Sequence, residues 1–107
     1  MKFGLPDRTI TKLQAVFANH PEIEEVTIYG SRAKGNFREG SDIDISLKGE
    51  NLNAAALSNL NLEIDDLNTP YFYDISIYHQ LNSKDLKTHV EKFGKIFYKR
   101  AEFVSEK

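Results

Sequence analysis

Three aspartates and one Gly-Ser pair are the residues whose types and spacing could do chemistry in this chain. Asp42 and Asp44 stand two apart in Ser41-Asp42-Ile43-Asp44-Ile45-Ser46-Leu47-Lys48, where polar and apolar side chains alternate as along a half-buried strand. On a strand both carboxylates project from one face. Held that close, they repel when ionised, which raises the pKa of at least one of them. A divalent cation removes that cost by supplying positive charge. An oxygen donor set, with no cysteine and no paired histidines in the chain, favours Mg²⁺ or Mn²⁺ over zinc. Two such ions could clamp the attacking and leaving oxygens of a phosphoryl-type displacement.

Ten residues separate Gly30-Ser31 from Asp42, and the pair follows the β-branched run Val26-Thr27-Ile28. Glycine lets the backbone approach an anion closely, and the N–H groups at a helix start, with the Ser31 hydroxyl, would hold phosphate oxygens. Of the nearby cations Arg32, Lys34 and Arg38, Arg32 is best placed for the phosphates because it directly follows Ser31. Asp74 supplies a third carboxylate on a later strand, on the face it shares with Phe72, Ser76 and Tyr78. If that strand pairs beside Asp42 to Ser46, Asp74 completes the metal site and can help deprotonate an acceptor hydroxyl.

The elements that must position these groups follow from periodicity. Ile10, Leu13 and Phe17 predict a helix over Asp7 to Ala18, stopped by Asn19-His20-Pro21. Glu24 to Tyr29 reads as a strand running into a tight turn. Arg32-Ala33-Lys34 makes one helical turn that Gly35 ends, and Ser41 to Lys48 is the next strand. Leu52, Ala56, Leu60, Ile64 and Leu67 predict a helix over Leu52 to Leu67, and Tyr71 to His79 a third strand. Ser83 is an N-cap, Leu86, Val90 and Phe93 form the buried stripe of a last helix, and Gly94 stops it. Ile96-Phe97-Tyr98 is a short closing strand. The fold class is α/β (α+β): a small mixed sheet with helices packed against it.

Gly30-Ser31-Arg32-Ala33-Lys34-Gly35, five residues, then Ser41-Asp42-Ile43-Asp44-Ile45, resembles the signature of the DNA polymerase β-like nucleotidyltransferase superfamily. The short chain is most similar to its minimal nucleotidyltransferase (MNT) members. The resemblance is strong from Tyr29 to Leu47 and extends weakly to Asp74 and the strand near Ile96. It implies that Asp42 and Asp44 hold two Mg²⁺ ions and that Asp74 binds the metal on the nucleophile side. It implies that Gly30 and Ser31 bind the triphosphate of a nucleoside triphosphate, ATP being expected, and that pyrophosphate leaves as a nucleotide joins an oxygen acceptor. It also implies a helical HEPN-type partner in a hetero-oligomer, a tyrosine of which an antitoxin of this kind adenylylates.

With 107 residues the chain is expected to form one domain, with no second domain to grip base or acceptor. A net charge of −2 argues against non-specific nucleic-acid binding. No signal peptide and no membrane-spanning run is visible, so a cytoplasmic protein is expected. His20, His79 and His89 show no metal-ligand spacing, and Lys92, Lys95, Lys99 and Arg100 read as a solvated face open to an acidic partner or RNA. Two rival functions stand beside the antitoxin. One is transfer to a small molecule or an RNA end, with a separate substrate-binding subunit. The other is a module that blocks its partner sterically without catalysis.

Overall fold

Helix α1, Asp7–Ala18, buries Leu13, Val16 and Phe17, the apolar stripe that its spacing creates. It is seen in a computed structural model that describes residues 2–100. Strand β1, Glu25–Tyr29, runs into Gly30 and the single-turn helix α2, Ser31–Lys34. Gly35 closes that turn in the left-handed conformation (φ 88°), its N–H bonded to the Ser31 carbonyl at 2.9 Å. Strand β2 is Ile43–Lys48 and helix α3 is Ala54–Asp65. The Asn53 side chain caps α3 by accepting from the Ala56 N–H at 2.9 Å. Strand β3, Tyr73–Ile77, passes into a 3₁₀ turn over Tyr78–Gln80. Helix α4, Lys84–Phe93, is capped by Ser83, and strand β4 is Lys95–Lys99.

The sheet order is β3-β2-β1-β4. β1 is antiparallel to both β2 and β4, while β2 and β3 are parallel. A parallel pair needs a crossover, which α3 supplies. One face of the sheet is apolar: Val26, Ile28, Ile43, Ile45, Leu47, Ile77 and Phe97 are buried with Leu13 and Phe17 of α1 and Leu60 and Ile64 of α3. Each such side chain contributes roughly 1.5–3 kcal/mol on burial. The opposite face carries the small polar row Thr27, Ser46 and Ser76, set side by side by the register. α4 crosses this second face beside β1. A Cβ added at Gly94 would overlap the Thr27 methyl and the Val90 carbonyl.

Several sequence expectations change, among them the helix expected over Leu52 to Leu67, which spans Ala54–Asp65. β2 begins at Ile43 rather than Ser41, so Asp42 precedes the strand. The third strand is Tyr73–Ile77, shorter than Tyr71 to His79, because the 3₁₀ turn takes its last residues. In α4 only Val90 of the expected stripe is buried, and Phe93 is 38% exposed. The helix packs chiefly on β1, and its last turn stays partly open to solvent. Gly94 has an ordinary φ of −68°, and its smallness serves the close approach to Thr27 rather than a left-handed cap. Among the described residues no helix is long and apolar enough to cross a membrane.

Candidate active site

The site forms at one end of the sheet, where β1 stops and β2 and β3 start. The register places Tyr29 opposite Asp44, and Asp44 opposite Asp74, in one row across three strands. Neighbouring strands lie about 4.8 Å apart, so the two carboxylates project side by side from the polar face. The Ile43 N–H bonds the Phe72 carbonyl at 2.9 Å and pins the starts of β2 and β3 together. Asp42 stands exposed one residue ahead of β2, and Asp74 is exposed on the edge strand.

Asp44 is half-buried. Burial first, then the negative charges of Asp74 and Asp42, push its carboxyl above the usual carboxylate range, and His89 on α4 opposes the shift. Tyr29 shares this environment. Burial raises its hydroxyl, a hydrogen bond with Ser76 works the other way, and Asp74 and Asp44 raise it further. The three acids therefore sense one another electrostatically around Asp44.

Gly30 brings the backbone against the acids. Its φ of 75° and ψ of −155° are open to glycine alone, and a Cβ there would overlap the Asp44 Oδ2 atom. Ser31 then opens α2, whose first N–H groups have no intrahelical partner. An anion drawn to those groups would sit beside a carboxylate, an arrangement that needs a cation between the two.

Arg32, expected at the phosphates, is 3% exposed and faces inward. Its Nε and Nη2 donate to the Ser41 carbonyl at 3.1 and 2.9 Å, and its Nη1 donates to the Phe3 carbonyl at 2.8 Å. The guanidinium lies 5.1 Å from the Phe37 ring centre and 5.2 Å from that of Tyr71. Arg32 thus ties the residue after Ser31 to the loop that delivers Asp42 and to the approach to β3. Lys34 and Arg38 are exposed, Lys34 with its ammonium 5.2 Å from the Phe93 ring centre.

Asp42, Asp44 and Asp74 offer hard oxygen donors, the chemistry a magnesium-type ion takes, and such an ion would relieve the raised carboxyl of Asp44. Among the described residues, however, no three His, Asp or Glu side chains are gathered tightly enough to form a ready-made metal cage. The register lines the acids up without converging them. A cavity of about 370 Å³ lies at the far end of the sheet, lined by Glu24, Lys48, Gly49, Glu50, Tyr78 and His79, and includes none of the three acids.

His89, given no site role in the sequence, borders the row, and Phe93 packs beside it. The His89 ring packs edge-on to Tyr29 with centres 6.0 Å apart and lies 5.2 Å from Phe93. The four-residue spacing of His89 and Phe93, which puts them on one helix face, was the available signal. His20 is structural, bridging Glu22 at 3.4 Å and Glu63 at 2.7 Å. His79 is exposed in the 3₁₀ turn.

Comparison with known proteins agrees with this geometry. The family model described as "Polymerase beta, Nucleotidyltransferase" matches residues 11–103. No curated protein sequence matches the chain. Among solved structures, a toxin–antitoxin with AMP-PNP is similar at 23% identity and a TM-score of 0.68, over 92% of this chain and 77% of that one. A tri-AMPylated Shewanella oneidensis HEPN toxin in complex with its MNT antitoxin is similar at 19% identity and a TM-score of 0.63, over 90% and 74%. A putative nucleotidyltransferase from Sulfolobus solfataricus is similar at 24% identity and a TM-score of 0.55, over 90% and 85%.

Proposed function

The chain belongs to the polymerase beta nucleotidyltransferase family, and from that premise we propose that it transfers a nucleotide, AMP from ATP, to a hydroxyl of a partner protein. The observation that carries the proposal is the row of Asp44 and Asp74 at the sheet end, with the Gly30 backbone packed against Asp44.

In this reading Gly30 and Ser31 bind the triphosphate through backbone N–H groups and the Ser31 hydroxyl. Asp42, Asp44 and Asp74 would hold two Mg²⁺ ions, which would supply the positive charge that lets phosphates sit among carboxylates. Asp74, exposed on the edge strand, takes the proton of the acceptor hydroxyl. The acceptor oxygen forms a bond to the α-phosphorus while the bond from that phosphorus to the β-bridging oxygen breaks. Pyrophosphate departs with the electron pair. Arg32 acts from behind, fixing the loops on which Asp42 and Ser31 ride.

The neighbours that are antitoxins bound to HEPN toxins support a HEPN-type helical partner with a tyrosine acceptor, and with it an antitoxin role in the cytoplasm. Exposed Phe72, Leu62 and Ile96 give such a partner apolar surface to cover. Co-expression with the toxin tests the role. The Asp42→Asn/Asp44→Asn variant should co-purify with the toxin yet fail to protect growth. Full protection by that variant would establish steric neutralisation instead.

A further inference from the structure

The four strand ends on the acidic side of the sheet carry their chemistry in an order. Asp74 stands on edge strand β3, Asp44 on β2, and Gly30 follows β1. The other edge, β4, begins there with Lys95, which pairs with Ile28, two residues before Gly30. Around Lys95 a concave surface of about 280 Å³ lies between α2, α4 and β4, lined by Ala33, Lys34, Lys92, Phe93 and Lys95. Ala33 and Lys34 belong to the helical turn that Ser31 opens, so this surface adjoins the Gly30-Ser31 turn on the side away from Asp74.

Charge sets this surface apart. The chain carries a net −2, yet three lysines from three elements gather here. Among the described residues none of their ammonium groups is paired with a carboxylate. The Lys34 and Lys92 ammonium groups instead lie 5.2 and 5.6 Å from the centre of one ring, that of Phe93. The ring attracts each cation while the two repel each other. An anion seated between them offsets that repulsion.

Displacement at phosphorus runs with the attacking and leaving oxygens roughly in line. With the acceptor at Asp74 on one edge of the sheet, the leaving group points toward the other edge. Asp44 and the start of β4 are two strand spacings apart, about 10 Å. A polyphosphate tail running past Gly30, and lysine side chains reaching back toward it, together bridge that separation.

We propose that Lys92 and Lys95, with Lys34, are specificity-determining residues for the nucleotide donor: they hold the γ-phosphate of a nucleoside triphosphate and then the pyrophosphate that leaves. The proposal rests on the nucleotidyl-transfer reading and its placement of the acceptor at Asp74. It makes the third phosphate the requirement for tight donor binding, so a nucleoside diphosphate is a poor ligand. The ammonium groups also meet the charge that develops on pyrophosphate as its bond to the α-phosphorus breaks.

The test is calorimetric titration of the full chain with ATP, ADP and inorganic tripolyphosphate in Mg²⁺. ATP should bind at least tenfold more tightly than ADP, and tripolyphosphate should bind although it has no base. Lys92→Gln/Lys95→Gln should weaken ATP and tripolyphosphate at least tenfold and change ADP little, so that ATP and ADP bind nearly alike. Lys92→Arg/Lys95→Arg should restore ATP binding. Lys84→Gln/Lys87→Gln removes two charges from α4 outside this surface and should bind ATP as the parent does. ATP binding indifferent to Lys92→Gln/Lys95→Gln, or weakened equally by both glutamine pairs, overturns the proposal and leaves the transferase reading standing. A parent chain that binds no ATP overturns both.

Discussion

At the scale of single residues the site is governed by how close Gly30 comes to Asp44. Gly30→Ala places a side chain in a backbone region that only glycine visits readily and drives it into the carboxylate. The expected loss is about 1–3 kcal/mol of stability, read by urea unfolding, together with nucleotide binding. Asp44 makes a second prediction. Its folded carboxyl titrates above the ordinary value of 3.8, so the folded state binds a proton more tightly than the unfolded one. Stability therefore falls as pH rises from about that value through the raised folded pKa. Without metal, Asp44→Asn should melt higher than the parent at pH 7, and the gain should disappear below the ordinary carboxylate range. An equal gain at both pH values would disprove the electrostatic origin. The Asp-x-Asp and the Gly-Ser pair were legible because each motif is local. The burial of Arg32 was not, since its carbonyl acceptors and ring neighbours come from the distant positions 3, 37, 41 and 71.

At the scale of elements Arg32 clasps three segments that pattern alone leaves independent. Hydrogen bonds from a charged donor are worth about 1.5–3 kcal/mol each, so Arg32→Ala should unfold at markedly lower urea. Arg32→Lys keeps the charge and can no longer bridge Ser41 and Phe3 together. Assayed well below its melting temperature, this variant should lose kcat and need more Mg²⁺, with its KM for ATP little changed. A purely structural role would lower the folded fraction and leave the activity of each folded molecule intact. On the polar face of β2 the buried Ser46 hydroxyl has no hydrogen-bond partner among the described residues. Ser46→Ala should therefore be neutral or stabilising by about 1 kcal/mol in thermal unfolding. Helix spans were the most legible elements: α1 occupies Asp7–Ala18 as its periodicity predicts. Strand ends were less so, because β2 and β3 start where their shared ladder starts, and that ladder depends on a crossover pairing. The exposure of Phe93 escaped for a related reason. Helical spacing says which residues share a face, not how much of that face the rest of the fold covers.

At the scale of the whole molecule the chain is a short sheet that gathers its acids at one end and leaves its recognition surface open. Phe72 is 78% exposed just ahead of β3 and two residues before Asp74, so an acceptor held at Asp74 would be brought by whatever covers that ring. Under the proposed function the chain would supply the chemistry and a partner the hydroxyl. The most direct test is the intact mass of a co-expressed HEPN-type partner after incubation with this chain, ATP and Mg²⁺, beside the Asp42→Asn/Asp44→Asn variant. The account predicts a gain of one or more adenylyl units with the parent chain and none with the variant. An unchanged mass with the parent in a stable complex, or the same gain with the variant, would contradict it.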